Sequence, residues 1–137
     1  MWWIYALLSA LFASLTAIFA KIGVSHVNSN LATAIRTMII LLVAWGIVLF
    51  RGEYKTLHTL SKYNLFFLVI SGMATGLSWI FYFKALQIGK VSQVAPVDKL
   101  SVALTILLSV IFLGEALSWK SAIGALLIVG GTIILIL

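Results

Sequence analysis

The stretch LATAIRTMIILLVAWGIVLF, Leu31 to Phe50, holds twenty residues with a single charge, Arg36. A helix needs roughly 20 mostly apolar residues to cross the hydrocarbon core of a bilayer. Four more runs of about that length fill most of the chain: 3–20, 65–87, 92–113 and 120–137. Charge gathers mainly in the gaps between them. This pattern predicts an all-α protein, a single domain over 1–137 built as an integral membrane bundle of five transmembrane helices.

Composition agrees. The chain is 64% hydrophobic and 9% charged, against about 25% charged residues in soluble domains. A water-exposed surface cannot be made from it. The net charge of +6 does not point to nucleic acid. Lys21, Arg51, Lys55, Lys62, Lys84, Lys90 and Lys120 fall at or near run ends, where long basic side chains reach lipid headgroups. No basic stripe lies on a soluble element. The first run has no basic leader and no Ala-x-Ala site, so it reads as a retained helix. Trp2, Trp3 and Tyr5 would anchor it at the interface.

Five crossings put the two ends of the chain on opposite sides. Arg51, Lys55, Lys62 and Lys120 fall on one side, and Lys21, Lys84 and Lys90 on the other. The bias toward a cytoplasmic N-terminus is slight, and insertion both ways round is permitted. Short turns make the third, fourth and fifth runs antiparallel neighbours. Ser29 or Asn30 would cap the second helix. The segment 51–64 mixes charged and aromatic residues and would lie on the membrane surface.

The polar residues inside the runs are the candidate site. Asp98 stands six residues beyond Ser92, about 9 Å into the membrane at 1.5 Å per residue. An ionisable group at the centre of a membrane helix costs roughly 2.5–3.5 kcal/mol, so it faces a partner or a wet cavity. Lys99 follows it and would either serve the site or reach outward. Pro96 removes a backbone donor. It marks either a broken turn lining a cavity or an inexpensive first-turn proline. Ser101, Thr105 and Ser109 share a face with Asp98, as a water-accessible path or as ordinary back-bonding hydroxyls. Arg36, charged at any biological pH, would pair with Asp98, meet an anionic substrate group, or snorkel. Trp79 and Tyr82 would form an aromatic wall or sit as interfacial residues. Gly72-x-x-x-Gly76, with Ser71, Thr75 and Ser78 beside it, reads foremost as a helix-packing signal, as do Gly124 and Gly131.

The chain has no cysteine, and no zinc-protease, P-loop or G-x-S-x-G motif. His26 and His58 fall in loops on opposite sides and cannot share a metal. No enzyme, cofactor or metal is expected.

The stretch WIFYFKALQIGKVSQVAPVDKLS (79–101) resembles the EamA domain of the drug/metabolite transporter superfamily. The turn FLGE (112–115) with the run to Gly131, and Ala34-Ile-Arg36, extend the resemblance over essentially the whole chain. It implies secondary transport of small metabolites by ten helices arranged as two inverted five-helix repeats. This sequence holds one repeat and resembles the half-size bacterial and archaeal subgroup, so two copies, inserted the same way or oppositely, would make a transporter. Glu115 would be structural. The expectation is a homodimeric permease of a prokaryotic cell membrane. It would move small polar metabolites by alternating access, with Asp98 as the responsive group and Arg36, Lys99, Trp79 and Tyr82 shaping the pocket. A non-transporting membrane scaffold or regulatory subunit is the alternative. That alternative predicts a buried Asp98–Arg36 pair and no cavity.

Overall fold

The computed structural model describes residues 1–137, and it is all-α. Its helices are α1 (Trp2–Val24), α2 (Ser29–Arg51), α3 (Lys62–Ile88), α4 (Val91–Asp98), α5 (Leu100–Leu113) and α6 (Trp119–Ile136), with a 3-10 helix at Glu53–Thr59. Five spans are long and apolar enough to cross a membrane, α4 and α5 together making one of them. Large apolar side chains stand exposed on every span, among them Phe12, Leu42, Phe66, Leu104 and Leu126. Such a surface suits hydrocarbon and not water.

The helix ends follow local chemistry. Asn28 caps α2: its side chain accepts the Asn30 N–H at 2.9 Å. The cap therefore falls one or two residues before the expected Ser29 or Asn30, because the Asn28 side-chain oxygen reaches a free N–H from outside the helix. Gly52 and Gly114 end α2 and α5 at φ of 69° and 66°. Only glycine adopts that left-handed conformation without a steric penalty. Ser118 begins α6 by accepting the Ser121 N–H at 3.0 Å. The segment after Arg51 is not irregular throughout. It coils into the 3-10 helix, tied at its start by an exposed Arg51–Glu53 ion pair of 3.3 Å.

The fourth run is not one uninterrupted helix. It breaks at Lys99, three residues beyond Pro96. The Lys99 N–H reaches Pro96 O at 3.0 Å and Ala95 O at 3.3 Å, and the Val102 N–H reaches Lys99 O at 3.0 Å. The bonds to Pro96 O and Lys99 O are the tightened i to i+3 bonds of a 3-10 turn, while that to Ala95 O is the weakened α-helical one. Pro96 cannot donate to the preceding turn, and the distortion surfaces downstream of it.

The chain divides into two compact units, Phe19–Gln87 and the pair of segments Met1–Ile18 with Ile88–Leu137. In the second of these, α6 packs along both α4 and α5. The covered side of α6 carries Ala125, Ile128 and Thr132, while Gly131 is exposed. A Cβ at Gly124 or Gly131 would meet open space, so neither glycine closes a seam inside one chain. The seam is made by Thr132, which is buried. Its hydroxyl lies 2.8 Å from Ile128 O on its own helix and 3.2 Å from Pro96 O on α4. An interhelical hydrogen bond in a membrane contributes about 0.6 to 2 kcal/mol. Thr132→Val keeps the shape and removes that bond. Thermal unfolding in detergent should show a loss of about 1 kcal/mol. Thr105→Val, whose hydroxyl bonds only its own helix at Ser101 O, should show little.

In the unit Phe19–Gln87, the end of α1, the start of α2 and the end of α3 meet. Ala20, Val24, Ser29, Thr33, Phe83 and Leu86 are buried there. The turn between α1 and α2 is clamped by polar bonds. Lys21 Nζ donates to Leu86 O, and Gln87 Nε2 lies 3.3 Å from Val24 O and 2.9 Å from Val27 O. These are carbonyls at a helix end and a turn, which would otherwise lack donors.

Candidate functional site

Away from that closed end, α2 and α3 flank an open, groove-like cavity of about 440 Å³. Thr37, Ile40, Leu41 and Ala44 line it from α2, spaced at i, i+3, i+4 and i+7 as one helix face requires. Leu68, Ser71, Gly72, Thr75, Gly76 and Trp79 line it from α3 with the same periodicity. The void exists partly because two of these positions have no side chain. A Cβ at Gly72 or Gly76 would touch nothing within 4 Å. Within one chain these glycines therefore border empty space and meet no neighbouring helix.

The hydroxyls of the wall are half satisfied. Thr37 Oγ1 donates to Thr33 O at 2.8 Å, and Thr75 Oγ1 donates to Ser71 O at 2.9 Å. Back-bonding of this kind uses the single proton and leaves oxygen lone pairs to accept from a ligand. The remaining wall is aliphatic or aromatic. The cavity thus offers a mainly apolar lining with a few polar points, the usual character of a small-molecule site.

Arg36 stands next to this wall. Its guanidinium carbon lies 4.9 Å from the Trp79 ring centre and 4.8 Å from that of Phe83. Tyr82 interacts with it electrostatically and packs edge-on against Phe83 at 6.0 Å. Arg36 is seven residues into α2, about 10 Å along its axis. Two cation–π contacts, each up to about 2 kcal/mol when desolvated, offset much of the roughly 2.5–3.5 kcal/mol that a buried membrane arginine costs. The residue is half-buried, with its head group against two rings of α3. No carboxylate pairs with it.

Asp98 belongs to the other unit, where it pairs with the adjacent Lys99 at 3.1 Å. Their side chains are 35% and 57% exposed, so the pair is not sealed in a dry core. Neighbouring residues on a regular helix point about 100° apart and rarely meet; here the break at Lys99 lies between them. Ser101 and Thr105 are on the exposed side of α5, with the Thr105 hydroxyl returned to Ser101 O at 2.7 Å.

The structure thus brings Arg36, Trp79, Gly72 and Gly76 to one place, together with Phe83, Thr37 and the aliphatic wall. Phe83 carried no separate signal, although its position four residues after Trp79 puts both on one face of α3. Gln87 extends that face by another four residues, and this spacing could have flagged it. Thr132 could be read only as one more membrane threonine.

The model of the EamA-like transporter family matches residues 1–137. The chain is 45% identical over 134 residues to an uncharacterized transporter in the cobO 3' region of Sinorhizobium sp., covering 98% of this chain and 95% of that one. It is 30% identical over 132 residues to an uncharacterized protein of Methanocaldococcus jannaschii, covering 96% and 93%. No solved structure matches the chain.

Proposed function

Given that the chain belongs to the EamA-like transporter family and is a membrane transporter of the drug/metabolite kind, we propose that it moves small metabolites by alternating access through the α2/α3 cavity. The carrying observation is the cavity itself. It is a void of about 440 Å³ between two membrane-crossing helices, bordered by glycines, hydroxyls and a tryptophan. Helices in lipid associate by close packing, so a void kept open by two glycines favours a binding role over a packing one.

The working unit is a homodimer. One chain walls this cavity with α2 and α3 alone, and a solute crossing lipid needs enclosure on all sides. A second five-helix copy supplies the remaining walls. The nearly even split of basic residues between the two sides supports opposed insertion of the copies, which is the arrangement of inverted repeats. The membrane is the cell membrane of a prokaryote, and opposed copies place one N-terminus on each side of it. Asp98, half exposed and paired only with the adjacent Lys99, is the group that responds to protons or solute. Lys99 compensates its charge, and Ser101 and Thr105 line its approach. Pro96, beside the break, gives that segment room to bend.

The test uses the absence of native cysteine. Ser71→Cys in inverted and in right-side-out vesicles should react to completion with an impermeant thiol reagent applied from either side alone. Alternating exposure predicts completion even for mixed orientations. A reaction that stops at half or less from each side, or that needs a lipid-soluble reagent, rejects alternating access and favours a static scaffold.

A further inference from the structure

The cavity and the arginine beside it together specify a charge class. Deepening the transport reading, on which this inference rests, we propose that the solute is an organic anion with an apolar body, whose anionic group docks on Arg36. Three observations carry this. First, the guanidinium has no ion pair and no hydrogen bond within the chain; it lies over the rings of Trp79 and Phe83. Rings stabilise the cation but take none of its N–H bonds, so its fork of donors stays available for a carboxylate or phosphate. Second, Trp79 is shared. It stacks with Arg36 and also forms part of the cavity wall, so a single ring joins the cation, itself not a wall residue, to the void. Third, the rest of the lining suits an uncharged body: aliphatic side chains on α2, bare glycine backbone on α3, and two threonine hydroxyls whose protons are already used. No acid lines the cavity, so an amine would gain nothing there and would meet Arg36 as a like charge. A neutral solute would leave the arginine unmatched.

The shared chemistry, an anion on an apolar body, is also that of an anionic lipid entering from the bilayer. The experiment separates the two sources. Thr75→Cys, in the otherwise cysteine-free protein, reports occupancy through its rate of modification by an impermeant maleimide in neutral detergent. Three probes of one shape are compared: 4-phenylbutyrate, 4-phenylbutyramide and 4-phenylbutylamine. The proposal expects the carboxylate to protect at a concentration at least tenfold lower than the amide or the amine. Arg36→Gln should bring the three within about threefold of one another. Arg36→Lys, which keeps charge without the planar fork, should retain part of the preference and guards against a folding defect in the glutamine variant. Equal protection by the amide, or a preference that survives Arg36→Gln, overturns the anion inference and leaves the cavity reading standing. A cysteine that reacts freely whatever probe is present overturns both. Repeating the assay in phosphatidylcholine vesicles with and without phosphatidylglycerol then reads the source. Protection by phenylbutyrate in both supports a soluble anion. Protection by the anionic lipid alone supports a headgroup on the same arginine.

Discussion

Gly76→Leu should reduce solute uptake into proteoliposomes to below a tenth of the parent rate while leaving the chain as stable as before, or more so. A side chain placed at Gly76 would meet no atom within 4 Å of its Cβ, so the start of the new side chain has room without a shift of the neighbouring helix. Leucine is also a better helix former than glycine by about 0.8 kcal/mol. The new side chain would instead project into the cavity that Gly76 borders, occupying space that a solute needs. Thermal unfolding in detergent and uptake are measured on the same preparation. The combination separates the cavity from the competing packing role, in which Gly72 and Gly76 receive a helix of a second copy. In that case leucine would split the oligomer, and size-exclusion chromatography would show it. Uptake that survives with an intact oligomer would remove the α2/α3 cavity from the transport path.

Phe83→Ala should cause the largest loss of stability. Phe83 is 1% exposed, Val24 is 1% and Leu86 is 0%, and these three anchor the closed end where α1, α2 and α3 meet. Truncating a buried phenylalanine costs about 3–5 kcal/mol in soluble cores. In a bilayer the transfer part of that figure is smaller, because lipid is as apolar as the side chain, and what remains is lost packing. Arg36 would also lose one of its two rings, about 1 kcal/mol. A net loss of about 3 kcal/mol is therefore expected, read from unfolding in mixed micelles. Phe66, 60% exposed on the same helix, is the control, and Phe66→Ala should change little. If the two substitutions behave alike, the closed end is not a core.

The spans were legible because crossing a bilayer is a demand on length and apolarity, and both are local. Helix 2 was expected over 31–50 and is found at Ser29–Arg51. The fifth was expected over 120–137 and is found at Trp119–Ile136. Errors gathered at the ends and at the proline. Asn28 took the cap because its side-chain oxygen, set just outside the helix, reaches the Asn30 N–H. The break after Pro96 was displaced to Lys99, since a missing donor can be accommodated several residues away by tightening the next turn. The site was legible as a set of residues more than as an arrangement. Arg36 and Trp79 both stood out as unusual within their runs, yet spacing along two separate helices says nothing about whether they touch.

The residues alone thus decided that the chain enters a membrane, how often it crosses and where polar groups interrupt it, since each of these depends on neighbours within about twenty positions. Packing in three dimensions decided the partners. It set Arg36 between Trp79 and Phe83, turned a threonine of α6 to the Pro96 carbonyl, and left Gly72 and Gly76 bordering empty space. A glycine reads the same in a linear chain whether a helix or a void lies opposite, because the atom it lacks is the only thing that would tell them apart.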